Sequence, residues 1–366
     1  MKFPTFRILC IVVSVLILLF SGVFASGGTT IYVSKKGDNT DGQSWATAFH
    51  SVQQGLLAIP DDQGGHRVVV RPDTYMEANL YPSHKGAKGA YNELIGDVDG
   101  KLGSGATGYV VLDSSAPNRG YHCFDWFSSI RAYLKDWSEA HQDETFSSAV
   151  WDRWKLRYLY ASGSDAGIFF DLVRTVEPFS VVVEDCVGIG RAFGLGVANV
   201  VPREEEPCVF RRSYGMCLDW WGDAGAAYVR GHSTSTPEHP DAVFEDCTLV
   251  SPDNAIESSF SQYSGYTFVK AKNCRLIVIN FSQPVGTPST GIIHTGTSGD
   301  QFKIELEDCD LMGYKVFGCE DGKIHSVLKG RNRVYVQFQQ EIPDGMEPFE
   351  GWPIELWQHL APPPCP

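Results

Sequence analysis

The chain has 366 residues, 43% hydrophobic and 20% charged, a mixture that excludes a disordered polypeptide and is long enough to bury a large core. Its formal charge is −14 and its pI ≈ 5.1, which excludes the basic surface that nucleic acid requires.

The first element is a leader. Lys2 and Arg7 precede an apolar run from Ile8 to Phe20, and Val23-Phe24-Ala25 supplies the small-residue pattern read by signal peptidase. The run is shorter than the ~20 apolar residues of a membrane span, and no second apolar segment follows. Residues 1–25 therefore read as a signal peptide, and the mature chain as a secreted monomer (periplasmic, extracellular or at the cell surface) with no transmembrane segment.

Next, "IYVSKKGDNTDGQSWATAFHSVQQGLLAIP" predicts a strand, a polar turn and a helix around Ala48 to Ala58. "HRVVVRPDTYMEANL" predicts a strand, a turn and a second strand, so that residues 31–80 form an N-terminal cap. Between 121 and 150 an aromatic and charged stretch interrupts the strands and reads as an insertion, a loop or short helix beside the main body.

From Leu156 onward the chain repeats itself. Leu156, Val183, Phe210, Phe244, Ala271 and Leu306 recur in "LRYL", "VEDC", "FRRS", "FEDC", "AKNC" and "LEDC", at steps of 27, 27, 34, 27 and 35 residues. Such a period marks a solenoid. The repeated unit is a short Val/Ile/Phe-rich strand closed by Asp, Asn or Gly, without a helical apolar period between repeats, so the solenoid is a parallel β-helix. Stacking the coils turns equivalent residues into columns. The six apolar residues form an inward column. The next column, Arg157, Glu184, Arg211, Glu245, Lys272 and Glu307, alternates in sign, as neighbours one strand apart should. Tyr158, Asp185, Arg212, Asp246, Asn273 and Asp308 then make the corner, because Asp and Asn tolerate a left-handed backbone. Leu159, Cys186, Ser213, Cys247, Cys274 and Cys309 pack behind it, as stacked free thiols rather than disulfides between coils. Residues 342–366 close the chain as a C-terminal cap and a loose Pro-rich terminus.

The opening "YVS…G…DG…SWA…A" and the pair "VVVRPDTYMEANL" resemble the right-handed parallel β-helix proteins of the pectin-lyase-like superfamily, over about residues 31–340. The resemblance implies an all-β, single-stranded right-handed parallel β-helix with an N-terminal capping helix, spanning 26–341. It also implies a substrate groove along one sheet, walled by long turns. The insertions "RGHSTSTPEHPD" near 230–241 and "QPVGTPSTGIIHTGTSGDQ" near 283–301 would supply those walls. The segments after the cysteine column would supply the sheet, with Asp171, Arg191, Asn199, Asp219, Trp220, Trp221, Asp223, Glu257, Gln283, Lys315 and Glu320 lining it.

Within "LDWWGD", Trp220 and Trp221 offer aromatic faces to a pyranose, and Asp219 and Asp223 could be the acid and base of a hydrolase. Asn199 and Gln283 are candidate substrate-binding amides. Glu257 is either a catalytic acid or a Ca2+ ligand with Asp219 or Asp223. Arg191 and Lys315 could serve a lyase as base or charge clamp. For each, the alternative is a solvated or core-filling residue, and His294 and His325 read as isolated histidines. "DNTD" at 38–41 is a weak calcium loop. The polygalacturonase-type pattern is absent, since Asp61-Asp62 lies in the cap and no Gly-His-Gly occurs. The Trp-x-Asp-His stretch expected of pectate lyases is absent as well. The function expected is a secreted polysaccharide lyase or glycoside hydrolase acting on a poly- or oligosaccharide. The alternative is a non-catalytic glycan-binding or structural β-helix of a cell surface or matrix.

Overall fold

The computed structural model describes residues 27–77, 80–114, 128–130 (backbone only), 148–163, 166–172, 177–218, 224–258, 265–280, 291–296, 301–319, 324–337 and 342–364. Its described strands form three long sheets, parallel at every pairing. Sheet 1 runs from Thr30–Val33 to His325–Lys329, and sheet 2 from Asp73–Tyr75 to Met346–Pro348. Sheet 3 runs from Ser128–Ile130 to Phe317–Cys319. From Asn92–Gly96 to Phe317–Cys319 the chain visits them in the order 1, 2, 3, turn after turn of a parallel β-helix.

The register follows the repeat. Val183 pairs with Leu156 and Phe210, then Phe244, Ala271 and Leu306 continue the column, and all six are buried in the central core. Phe210 and Phe244 stack at 4.9 Å and 12° because equivalent residues lie one coil apart. The charged column pairs in the same register: Arg211 bridges Glu184 at 2.9 Å and Glu245 at 2.6 Å, and Lys272 bridges Glu307 at 2.6 Å. Its alternation extends one coil further, to Lys329 beside Glu307.

Tyr158, Asp185, Arg212, Asp246, Asn273 and Asp308 all take φ between 47° and 56°. The corner geometry, not the residue type, is fixed, since Tyr and Arg adopt it too. Arg212 is held there by a two-pronged pair with Asp185, both contacts 2.8 Å. The cysteines behind the corner do more than fill space. The thiols of Cys247, Cys274 and Cys309 donate to the carbonyls of Phe210, Phe244 and Ala271 at 3.3, 3.4 and 3.3 Å. Ser213 does the same to Val183, and Asn332 to Leu306, so the column selects a small donor that covers a carbonyl of the previous coil. These cysteines are free. Burial pushes the Cys186 thiol up to about 12.

The helix expected over 48–58 is shorter, Val52–Leu57. The Ser51 side chain accepts from the Gln54 amide, and Glu77 accepts from the Val52 and Gln53 amides at 2.7 and 3.0 Å. Its buried face, Val52, Gly55 and Leu56, lies in the same core as Ile31, Val33 and Val68. The 121–150 insertion is not wholly outside the solenoid, because Ser128–Ile130 joins sheet 3 beside Ala166–Asp171. The C-terminal segment differs most from expectation. After Met346–Pro348 pairs with sheet 2, the chain lies along that sheet's outer face. Leu356 and Leu360 cover Val187, Tyr214, Val250, Ile277 and Met312, and the Tyr109 hydroxyl donates to the Pro363 carbonyl at 3.0 Å. The reason is that this face is apolar and needs a cover.

Candidate functional site

The connections of the solenoid are unequal. From Tyr158 onward every corner from sheet 1 to sheet 2 is two residues, ending with Gly330-Arg331. The edge of sheet 3 that returns to sheet 1 is bordered by longer connections, 203–207, 232–241, 259–266, 296–301 and 320–324, and on its other edge two insertions, 218–224 and 279–292, stand among corners of two or three residues. Both insertions foreseen in the sequence fall on these edges. The sheet expected to be the groove is therefore sheet 3, and its outward side chains form the candidate site.

Ile168, Leu195, Ile256 and Ile293 point into the core, so the residues after them, Phe169, Gly196, Glu257 and His294, point outward with Tyr228 and Gly318 in the same column. At its N-terminal end Phe169, Phe193 and Tyr228 make a second apolar cluster outside the solenoid core, with ring centroids 4.3 to 5.8 Å apart. Arg230, two residues past Tyr228, lies over that ring at 5.7 Å and donates to its hydroxyl at 3.1 Å.

One coil on, Glu257 and His294 are strand partners, with Oε2 2.5 Å from Nδ1. Both are deeply buried, at 0% and 4% exposure. A carboxylate and an imidazole in contact and out of water can exchange or orient a proton, and the pair persists because each supplies what the other's burial demands. His294 is thus not isolated, as the sequence suggested. The signal that could have exposed it is the coil register itself, since Glu257 and His294 occupy the same place in successive coils.

The remaining candidates are placed as follows. Asn199 is fully buried at a break in the sheet 3 register, with φ 56°, and its Nδ2 donates to Asp171 at 2.7 Å. Its chemistry is that of a left-handed bulge residue. Arg191 and Lys315 sit at equivalent corners between sheets 2 and 3, where their carbonyls accept from the Cys217 thiol and the Ile292 amide. Those corners are four coils apart, ~19 Å at the strand spacing, so the two cations do not reach one sugar ring. Asp219, Trp220, Trp221, Asp223, Gln283 and Glu320 lie outside the described residues. In "DNTD", Asp38 accepts from the Thr40 amide and hydroxyl and Asp41 from the Gln43 amide at 2.9 Å, contacts that build the turn. Among the described residues no three His, Cys, Asp or Glu side chains are grouped to hold a metal ion. Nor is any described helix long and apolar enough to cross a membrane.

No protein-family model matches the chain, and no curated protein matches it. A solved structure, the crystal structure of pectate lyase Pel9A, is similar to it at 13% sequence identity and a TM-score of 0.49, covering 88% of this chain and 75% of that one.

Proposed function

We propose that the protein is a secreted, carbohydrate-active β-helix that binds an extended extracellular polysaccharide along the outer face of sheet 3 and cleaves it, as a polysaccharide lyase or a glycoside hydrolase. The observation that carries the reading is the asymmetry of the connections: two-residue corners between sheets 1 and 2, against longer connections all along the edge of sheet 3 that returns to sheet 1 and two insertions, 218–224 and 279–292, on its other edge. Borders of that kind wall a groove. A parallel sheet repeating at ~4.8 Å offers a linear array of side-chain positions to a linear polymer. At the floor of the groove, Glu257 holds the His294 ring through Nδ1 and fixes its orientation beneath the path of the polymer. Asp219 and Asp223, in the connection between Leu218 and Ala224, are the carboxyl pair a hydrolase would use, with Trp220 and Trp221 stacking on the sugar and Gln283 bonding to it. Arg191 or Lys315, acting singly, is the cation a lyase would use, and Ca2+ would enter through the carboxylates of the same face.

A second reading is favoured by the burial of Glu257 and His294. In it the pair only fixes the floor of a non-catalytic glycan-binding groove. One experiment separates the readings: incubation of the mature protein with neutral, uronic and sulfated polysaccharides, with calcium or a chelator. The readouts are new reducing ends and the ultraviolet absorbance of a newly formed unsaturated uronate. Reducing ends with absorbance mark a lyase, and reducing ends alone a hydrolase. Retained binding without either would replace the enzymatic reading with the binding one.

A further inference from the structure

On the far side of the solenoid from sheet 3, at the corner between sheets 1 and 2, lies a cavity of about 230 Å³. Tyr109, Tyr158 and Tyr160 wall it, the Asp185–Arg212 pair forms one rim, and Pro363 and Pro364 of the C-terminal segment form a roof. We infer that this cavity is a carbohydrate site in its own right, which takes one neutral pyranose ring. The site is independent of sheet 3 and stands whether or not that sheet is catalytic.

Three observations point to that ligand. The first is size: a cavity of about 150 Å³ holds a benzene ring, so this one holds a single six-membered ring with its substituents. The second is the wall. Tyr109 and Tyr160 meet edge to face at 5.6 Å, and Leu159 and Val187 add apolar surface, which suits the CH face of a sugar. The tyrosine hydroxyls and the corner's ion pair supply donors and acceptors for its hydroxyls. The third is charge. Arg212 Nε and Nη2 each lie 2.8 Å from an Asp185 oxygen, so the cation at the rim is neutralised by the anion beside it. A uronate or sulfated ring would have to displace Asp185, and a cationic ring Arg212. A neutral ring displaces neither.

A proline-rich peptide is the natural competitor for a tyrosine-lined groove. Here that part of the groove is already occupied by the chain's own Pro363 and Pro364. The Tyr109 hydroxyl holds the Pro363 carbonyl at 3.0 Å, and the Tyr214 hydroxyl holds that of Leu360 at 2.5 Å. What remains beneath is smaller than a peptide.

The test is saturation-transfer NMR on the mature protein with methyl glycosides of neutral hexoses and of hexuronic acids. Wild type is compared with Tyr160→Ala and Tyr160→Phe, each checked for an unchanged melting temperature. The expected result is transfer to at least one neutral glycoside, weakened about tenfold in affinity by Tyr160→Ala and kept by Tyr160→Phe. The proposal is overturned by transfer that Tyr160→Ala leaves intact or by transfer confined to uronates. It is equally overturned by no transfer from any neutral glycoside, or by displacement with an oligoproline peptide where no sugar binds.

Discussion

Glu257 Oε2 and His294 Nδ1 lie 2.5 Å apart across adjacent strands of sheet 3, although 37 residues separate them in the chain. Removing one partner of such a buried pair leaves the other without its counter-group. Glu257→Leu or His294→Leu alone should cost about 3–5 kcal/mol, and the double replacement much less than the sum. Urea unfolding of the four proteins gives the coupling directly. Additive losses would show that the contact contributes nothing of its own.

The ladder on sheet 1 makes a sign-specific prediction. Glu245 sits between Arg211 and Lys272 in register, and bridges Arg211 at 2.6 Å. Glu245→Lys turns two attractive neighbours into repulsive ones. It should lower stability by ~1 kcal/mol at low salt, less as salt is raised, because the pair is about one-third exposed and partly screened. Glu245→Gln should be mild. Equal melting temperatures for the two variants would refute the ladder.

The columns from Leu156 to Leu306 were legible because each is read at one repeated position, and insertions between repeats do not disturb it. The groove pair was not. The connection 279–292 hides how far His294 lies from the start of its coil, and Glu257 alone looks like any strand acid. The covered face of sheet 2 was missed for another reason. In "TLVS", "RLIV" and "DLMG" the leucines point inward, and the next residues, Val250, Ile277 and Met312, are apolar too. Consecutive apolar residues in a strand mean both faces are buried, and that signal already required a cover such as the Leu356–Leu360 segment. The Pro-rich composition of the terminus pointed to looseness, but tertiary burial decided its place. The six candidates outside the described residues, Asp219, Trp220, Trp221, Asp223, Gln283 and Glu320, owe their assignment to sequence alone.

Asp241 predicts a pH dependence. It is fully buried, accepts from the Phe268 amide at 2.7 Å and the Ser235 hydroxyl at 2.9 Å, and burial raises its pKa to about 7. Since the folded value lies above the unfolded one, folding favours the protonated form. Its contribution is full below about pH 4 and is lost as pH rises toward about 7. The melting temperature of wild type relative to Asp241→Asn should therefore fall from pH 4 to pH 7 and level off above. A difference independent of pH across that window would mean that Asp241 titrates normally.

The cysteine column predicts which replacements the corner accepts. Cys247 donates its thiol hydrogen to the Phe210 carbonyl at 3.3 Å, and Ser213, one coil earlier, makes the same kind of bond to Val183. A hydroxyl at 247 can keep that bond, whereas a methyl group cannot and leaves a buried carbonyl short of a donor. Cys247→Ser should therefore change stability by less than about 1 kcal/mol, and Cys247→Val should lose about 1–3 kcal/mol despite being the more apolar change. Because Cys186, Cys247, Cys274 and Cys309 are all buried, they should also resist alkylation in the native state and react only as the protein unfolds. If valine proved better tolerated than serine, the column would be a matter of volume alone, and the recurrence of a donor at Ser213 and Asn332 would need another cause.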